Sequence, residues 1–166
     1  MNGAINSNDI LAEANAAKRS EIVEMLTRAY WMELETVMSY IANSVNPDGV
    51  KAQEVVQSLA ADIQEELGHA QQFAARIKAL YGTVPGSEGF SASQSDLQPP
   101  ADSLDLVHVI RGVIAAERGA IDYYNEIIAA TDGVDPVTQD MVITILADEQ
   151  SHMRTFEGFL REFETA

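Results

Sequence analysis

Glu66-Leu67-Gly68-His69 and Glu149-Gln150-Ser151-His152 repeat one pattern, Glu-x-x-His, in the two halves of a 166-residue chain. Positions i and i+3 of a helix share a face about one turn apart, so each pair can offer a carboxylate and an imidazole to a common point. Both pairs sit inside apolar stripes of helical period. Val55, Leu59, Ile63, Phe73, Ile77 and Leu80 flank the first; Val142, Ile145, Phe156 and Phe159 flank the second. Two further stripes are interrupted in the same way. Leu26, Tyr30, Val37 and Tyr40 surround Glu33, and Leu106, Ile110, Val113, Ala120, Tyr124 and Ile127 surround Glu117.

Working outward, these stripes predict four helices over about 20–45, 50–82, 103–131 and 136–164 of a single domain, 1–166. Asn46-Pro47-Asp48-Gly49 and Asp132-Gly133 read as turns, and Gly82 as a helix stop. Ser103 is the expected cap of the third helix. Asp135-Pro136 opens the fourth, Asp as N-cap and Pro at the first helical position. Between about 83 and 102 the helical period disappears into Gly, Ser and Pro. An extended segment of that length can run the roughly 40 Å of a helix of this size. Short turns within each pair and a long crossover between pairs give an all-α four-helix bundle of two antiparallel hairpins.

Composition bounds the chemistry. Apolar residues make up 46% and cysteine is absent, so disulfides, thiolate metal sites and the usual iron–sulfur chemistry are excluded. The net charge is −16, from 26 acidic and 10 basic side chains. That balance repels nucleic acid and anionic lipid and attracts cations. No stretch reaches the roughly 20 apolar residues of a membrane span. The first 18 residues lack the apolar core of a secretory signal, which leaves a cytoplasmic protein as the expectation.

An unpartnered carboxylate inside a bundle costs several kcal/mol unless it is protonated, paired or bound to a cation. Lys and Arg are scarce on these faces, so a metal is the natural partner of Glu33, Glu66, Glu117 and Glu149. Four carboxylates match the charge of two divalent ions, and His69 and His152 supply one imidazole to each. Oxygen donors with a single nitrogen per ion suit iron, with manganese as the alternative, better than copper.

At this point the chain resembles the ferritin superfamily from about Arg19 to Leu160. Glu33-Leu34-Glu35-Thr36-Val37-Met38-Ser39-Tyr40 is similar to the first ligand helix of bacterioferritins, and Glu65-Glu66-Leu67-Gly68-His69-Ala70 to their second. Ala116-Glu117-Arg118-Gly119-Ala120 is similar to the third, and Asp148-Glu149-Gln150-Ser151-His152 to the fourth. In ferritin-like di-iron bundles such a set binds two metals in the bundle core. The resemblance implies that Glu66 and Glu149 bridge the ions, with Glu33, Glu117, His69 and His152 as terminal ligands. Leu67 stands where bacterioferritins carry a haem-ligating Met, so no haem is expected. Ala120 stands where rubrerythrins carry a further Glu. The chain ends soon after the fourth helix, without the fifth helix usual in twenty-four-subunit shells. That favours the dodecamer of the smaller cages, including Dps-like proteins with an intra-subunit site.

The function implied is oxidation of Fe(II) by O2 or H2O2 with storage of Fe(III) in an oligomeric cage, without nucleic acid or membrane. The alternatives are a dimeric, rubrerythrin-like oxidoreductase or peroxidase, and a structural bundle with a vestigial or zinc-filled site. Among the remaining residues, Tyr40 and Tyr124 lie two turns after ligand positions and serve as core packing or as donors to the ligand carboxylates. Tyr30 and Trp31 read as packing residues, with electron donation as the other role. Asp62 reads as a solvated acid or a point where metal could enter, and Glu35, Glu65 and Asp148 as surface or cage-lining charge. His108 reads as a surface or subunit-contact residue. Val107, Val109, Ile114 and Ile121 widen the apolar surface of the third helix, which points to a second packing partner.

Overall fold

A computed structural model describes residues 7–165. Its four long helices are α1 (Ala16–Val45), α2 (Gln53–Ala79), α3 (Leu106–Thr131) and α4 (Pro136–Thr165), and no strand occurs among the described residues. Single 3-10 turns precede α1 and α2, and two more, Ser87–Gly89 and Ser95–Leu97, lie in the crossover. No helix among them is long and apolar enough to cross a membrane.

Cross-helix bonds fix the topology. Tyr123 Oη reaches Met25 O while Tyr40 reaches Glu117, so α1 and α3 run antiparallel. His69 pairs with Asp148 and His152 with Glu65, so α2 and α4 do too. The crossover therefore returns the chain to the end where α2 began, as its length requires.

The ends differ in detail from the sequence expectation. Asp105, not Ser103, caps α3, its carboxylate accepting from His108 N at 3.0 Å. Asp135 caps α4 as the sequence indicates, accepting from Thr138 N at 3.1 Å. At the end of α2 the left-handed residue is Tyr81, at φ 64°, rather than Gly82. Gly82 is required for space instead: a Cβ there would meet Val23 Cγ1 at 2.8 Å and Ile77 Cγ2 at 2.9 Å.

Two apolar clusters fill the bundle. One gathers Ile22, Leu26, Phe73, Ile77, Ile127, Val142 and Ile145 with the ring of Tyr124. The other gathers Val55, Leu59, Leu97, Ile110, Val113 and Phe156 with the ring of Tyr40. Between them each helix contributes its glutamate at the same level, seven residues from a cluster member on each side: 26, 33, 40; 59, 66, 73; 110, 117, 124; 142, 149, 156. Every one of these residues is buried.

The crossover is strapped to α1 and α3. Glu35 accepts from Ser93 N and Gln94 N, both at 2.7 Å, and from Ser93 Oγ at 3.0 Å. Asn43 Nδ2 donates to Leu97 O at 2.8 Å, and Leu97 enters the core. Gly112 admits this strap, since a Cβ would meet Asp96 O at 2.5 Å. The second packing partner expected of α3 is thus partly this chain's own crossover, whose Leu97 joins the same buried cluster as Val109 and Ile114. Glu35 is correspondingly not surface or cage-lining charge; it is 3% exposed and is held by the crossover.

Candidate metal centre

The six side chains that the sequence singled out converge. Ligand-type atoms of Glu33, Glu66, His69 and Glu149 lie within 4.8 Å of one another, as do those of Glu66, Glu117, Glu149 and His152. Glu66 and Glu149 are common to both groups. His69 Nδ1 lies 3.1 Å from Glu149 Oε1, 3.6 Å from Glu66 Oε2 and 3.9 Å from Glu33 Oε1. His152 Nδ1 lies 3.2 Å from Glu66 Oε1, 3.3 Å from Glu149 Oε2 and 3.8 Å from Glu117 Oε1. Each shared glutamate therefore turns one oxygen toward each imidazole, the arrangement that a carboxylate bridging two ions needs.

Orphaned polar atoms test whether a metal fits. Glu66 Oε1, both carboxylate oxygens of Glu149, and Nδ1 of His69 and His152 are buried without a hydrogen-bond partner. Buried polar atoms in a folded protein are nearly always satisfied, and five orphans converging on one place need a common partner. Their spacing is close, yet their directions do not suit bonds to one another. A cation between them satisfies all five, and carboxylate oxygen with imidazole nitrogen is the donor set of iron, manganese or zinc.

The surroundings orient these groups. Tyr40 Oη on α1 donates to Glu117 on α3, and Tyr124 Oη on α3 donates to Glu33 on α1. Both phenols are fully buried, so each packs in the core and donates to a carboxylate, combining the two roles the sequence left open. Around the outer imidazole nitrogens, His69 Nε2 meets Asp148 Oδ2 at 3.3 Å and His152 Nε2 meets Glu65 Oε2 at 2.9 Å. Asp62 Oδ1 stands 3.8 Å from His152 Nε2. Glu65 and Asp148 lie at the surface, as the sequence indicates, and each also reaches the outer nitrogen of a cluster imidazole. The signal that finds them is in the sequence: an acid immediately precedes both Glu-x-x-His pairs.

Electrostatics follow from packing this much acid into the core. Burial, followed by repulsion from Glu66 and Glu149, holds Glu33 and Glu117 well above the ordinary carboxylate range, although the tyrosine phenols pull them down. Burial works against an ionised Glu66 too, but the proximity of Glu33, His152 and His69 keeps it below that range. Burial opposes charge on the imidazoles, yet Glu149 and Glu66 raise His69 to about 10 and His152 to about 12. Burial lifts Asp62 to about 6, with His152 pulling the other way. Packing thus favours the protonated form of the two histidines and of Glu33 and Glu117, and the ionised form of Glu66.

Other residues that the sequence marked lie away from the cluster. His108 is exposed, with Nε2 3.0 Å from Gln98 O. Trp31 is tilted against Tyr30 at 5.0 Å and Phe90 at 5.4 Å between ring centroids.

Comparison with known proteins agrees with this architecture. The family of ferritin-like domains matches residues 23–166, and the chain belongs to it. It is 27% identical over 153 residues to a DNA protection during starvation protein of Pyrococcus furiosus, covering 90% of this chain and 82% of that protein. To the bacterioferritin of Desulfovibrio desulfuricans it is 23% identical over 142 residues, covering 85% and 75%. The solved structure of that organism's bacterioferritin, described with a di-iron site, superimposes with a TM-score of 0.78 at 20% identity, over 90% of this chain and 84% of that one. A dodecameric thioferritin, the bacterioferritin-related protein of Bacteroides fragilis, superimposes at 0.76 and 24% identity, over 89% and 88%.

Proposed function

We propose that this protein binds two iron ions per chain through Glu33, Glu66, His69, Glu117, Glu149 and His152 and acts as a ferroxidase. Its copies assemble into a cage that stores the Fe(III) formed. The observation that carries the reading is the pair of glutamates that turn one oxygen to each imidazole, with five orphaned donor atoms around them. Two ferrous ions held there supply one electron each, and with two protons the pair reduces O2 to H2O2 or H2O2 to water.

The protein's part is to hold and neutralise. Glu66 and Glu149 would serve both ions and Glu33 and Glu117 one each, while the phenols of Tyr124 and Tyr40 hold Glu33 and Glu117 in place. Burial of all six side chains keeps bulk water away, which strengthens each charge interaction. Fe(III), once released into an acidic interior, hydrolyses against carboxylates, and a net charge of −16 draws Fe(II) toward the protein.

Two observations support assembly. Met38, Ile41 and Val45, spaced along α1, are 51%, 48% and 75% exposed. The exposed α2 residues Gln57, Ala60, Gln64, Gln71 and Ala75 carry no charge in a strongly acidic chain, so two copies can meet there without repulsion. The name of the Pyrococcus relative refers to DNA, but the acidity of this chain disfavours that partner.

The test joins mass to chemistry. Sedimentation of the purified protein should give a closed dodecamer, and Fe(II) added in air should oxidise faster than in buffer. Glu66→Ala should abolish that excess. A dimer with the excess intact would remove storage and leave a di-iron oxidoreductase. No excess over buffer with either O2 or H2O2 would remove the redox function altogether.

A further inference from the structure

Arginine is scarce in this chain, and four of the arginines have partners. Arg19 donates to Ile10 O and Ala12 O, Arg28 stacks over Tyr123, Arg76 pairs with Asp135 and Arg111 with Glu164. Arg118, Arg154 and Arg161 have no ion pair, hydrogen bond or ring contact among the described residues. With 26 acidic side chains to 10 basic ones, a cation left unpaired is the unexpected outcome. These three also share a flank. Arg111 and Arg118 stand seven residues apart, on one face of α3, and the Arg111–Glu164 pair sets that face beside α4. On α4, Arg161 lies one turn from Glu164 and seven residues from Arg154. All four arginines are exposed, and Arg154, Leu160 and Arg161 line a hollow in the surface. Glu117 and Glu149 share a level, so the stripe runs from near that level at Arg118 to about 18 Å beyond it at Arg161.

We propose that this α3–α4 flank docks head to tail onto an acidic face of a second copy of the chain. The proposal rests on the reading that copies assemble into a cage. Charge decides the partner. On the flank the four arginines stand beside Asp122, Glu157 and Glu164, close to parity, whereas the rest of the chain carries a large excess of acid. Another copy is therefore itself an acidic partner. Flank against flank would set arginines on arginines, so this contact is not a two-fold one. The uncharged face of α2 serves to join like with like, while the arginine flank must meet a different surface. A contact of that kind repeats in one direction and forms a ring where the rotation closes. Each unpaired guanidinium offers a planar fork of N–H donors that matches a carboxylate, and the incoming copy supplies the acid that this chain does not. Ile143, eleven residues before Arg154 and so on its face, is 48% exposed and adds apolar area to the contact.

Sedimentation velocity of the full-length protein tests this surface. The triple variant Arg118→Gln, Arg154→Gln, Arg161→Gln should fall from the wild-type cage to a dimer held through α1 and α2. A second triple variant, Lys18→Gln, Lys51→Gln, Lys78→Gln, has the same net charge and should keep the wild-type size. The substituted arginines are exposed, so the first variant should melt cooperatively and bind Co(II) as the wild type does. If it does not fold, the single variants Arg118→Gln, Arg154→Gln and Arg161→Gln carry the test, each raising the dimer fraction at a given protein concentration. Unchanged size in the folded arginine variant, or in all three single variants, overturns the docking role. Equal dissociation of the lysine variant also overturns it, because net charge and not the flank would then be the cause. A wild type that never exceeds a dimer sinks the cage reading, and this surface with it.

Discussion

Glu66 and Glu149 each belong to both halves of the cluster, whereas Glu33 and Glu117 each belong to one. Their deletion should therefore differ in stoichiometry. Anaerobic equilibrium dialysis with Fe(II) should find two ions per chain in the wild type and one in Glu33→Ala. Glu66→Ala should hold none at the concentration that saturates the wild type. Equal loss in all three variants would mean that no carboxylate is shared. These glutamates were legible in the sequence because each breaks an apolar stripe that is otherwise unbroken, and a buried acid must have a partner. Glu65, Asp148 and Glu35 were not legible by the same rule. Helical periodicity assigns a residue to a face of its own helix, and all three fall outside the core-facing stripe. What satisfies them lies on another helix or on the crossover, at a sequence distance that no local pattern encodes.

The helices owe their arrangement to the connections as much as to their stripes. At the joint of α2 with the α3–α4 turn, Asp135 is fully buried, and its Oδ1 lies 2.7 Å from Arg76 Nη2 while Arg76 Nε donates to Thr138 Oγ1 at 2.8 Å. Removing one member of a buried pair strands the other charge, at a cost of about 3–5 kcal/mol. For a domain of this size, that corresponds to a fall in Tm of about 6–20 °C for Asp135→Ala, read by calorimetry. Arg76→Met added to Asp135→Ala should recover part of the loss, since no charge then remains buried. A fall no greater than that of a surface variant would show the pair to be dispensable. The crossover offers a second handle. Gly112→Leu drives a side chain into the backbone of Asp96, and overpacking of this kind costs about 1–3 kcal/mol. Element type and the long connection were readable from periodicity and from the Gly, Ser and Pro run. The docking of that run through Leu97 was not, because one leucine in a polar loop carries no periodic signal.

Across the whole molecule, the same acid that invites a metal makes the ion-free protein a store of protons. His69 and His152 are raised from 6.5 to about 10 and about 12, so their contribution to stability is complete below pH 6.5 and is lost as pH rises through those values. Glu33 and Glu117 have the same sign, beginning from 4.5, while Glu66, held low, has the opposite one. Metal competes with protons at the imidazoles and at Glu33 and Glu117, so binding tightens as pH rises while the ion-free fold weakens. The rise in Tm on saturation with Co(II) should thus be larger near pH 8 than near pH 6. Calorimetric titration in buffers of different ionisation enthalpy should register proton release, at most one from each of those four groups. A Tm gain that shrinks toward pH 8, or binding without release, would contradict this account.

The reciprocal tyrosines have a practical consequence. Tyr40 serves Glu117 and Tyr124 serves Glu33, each donor seven residues beyond the glutamate of its own helix, so the α1–α2 hairpin and the α3–α4 hairpin exchange places under a half-turn through the centre. Each of the six cluster residues and each of the two tyrosines in one hairpin has its twin in the other, so each chain carries its own internal control. If twin variants such as Tyr40→Phe and Tyr124→Phe differ in effect, the difference isolates what breaks the symmetry. On the His152 side that includes Asp62, a second acid with no counterpart described beside His69.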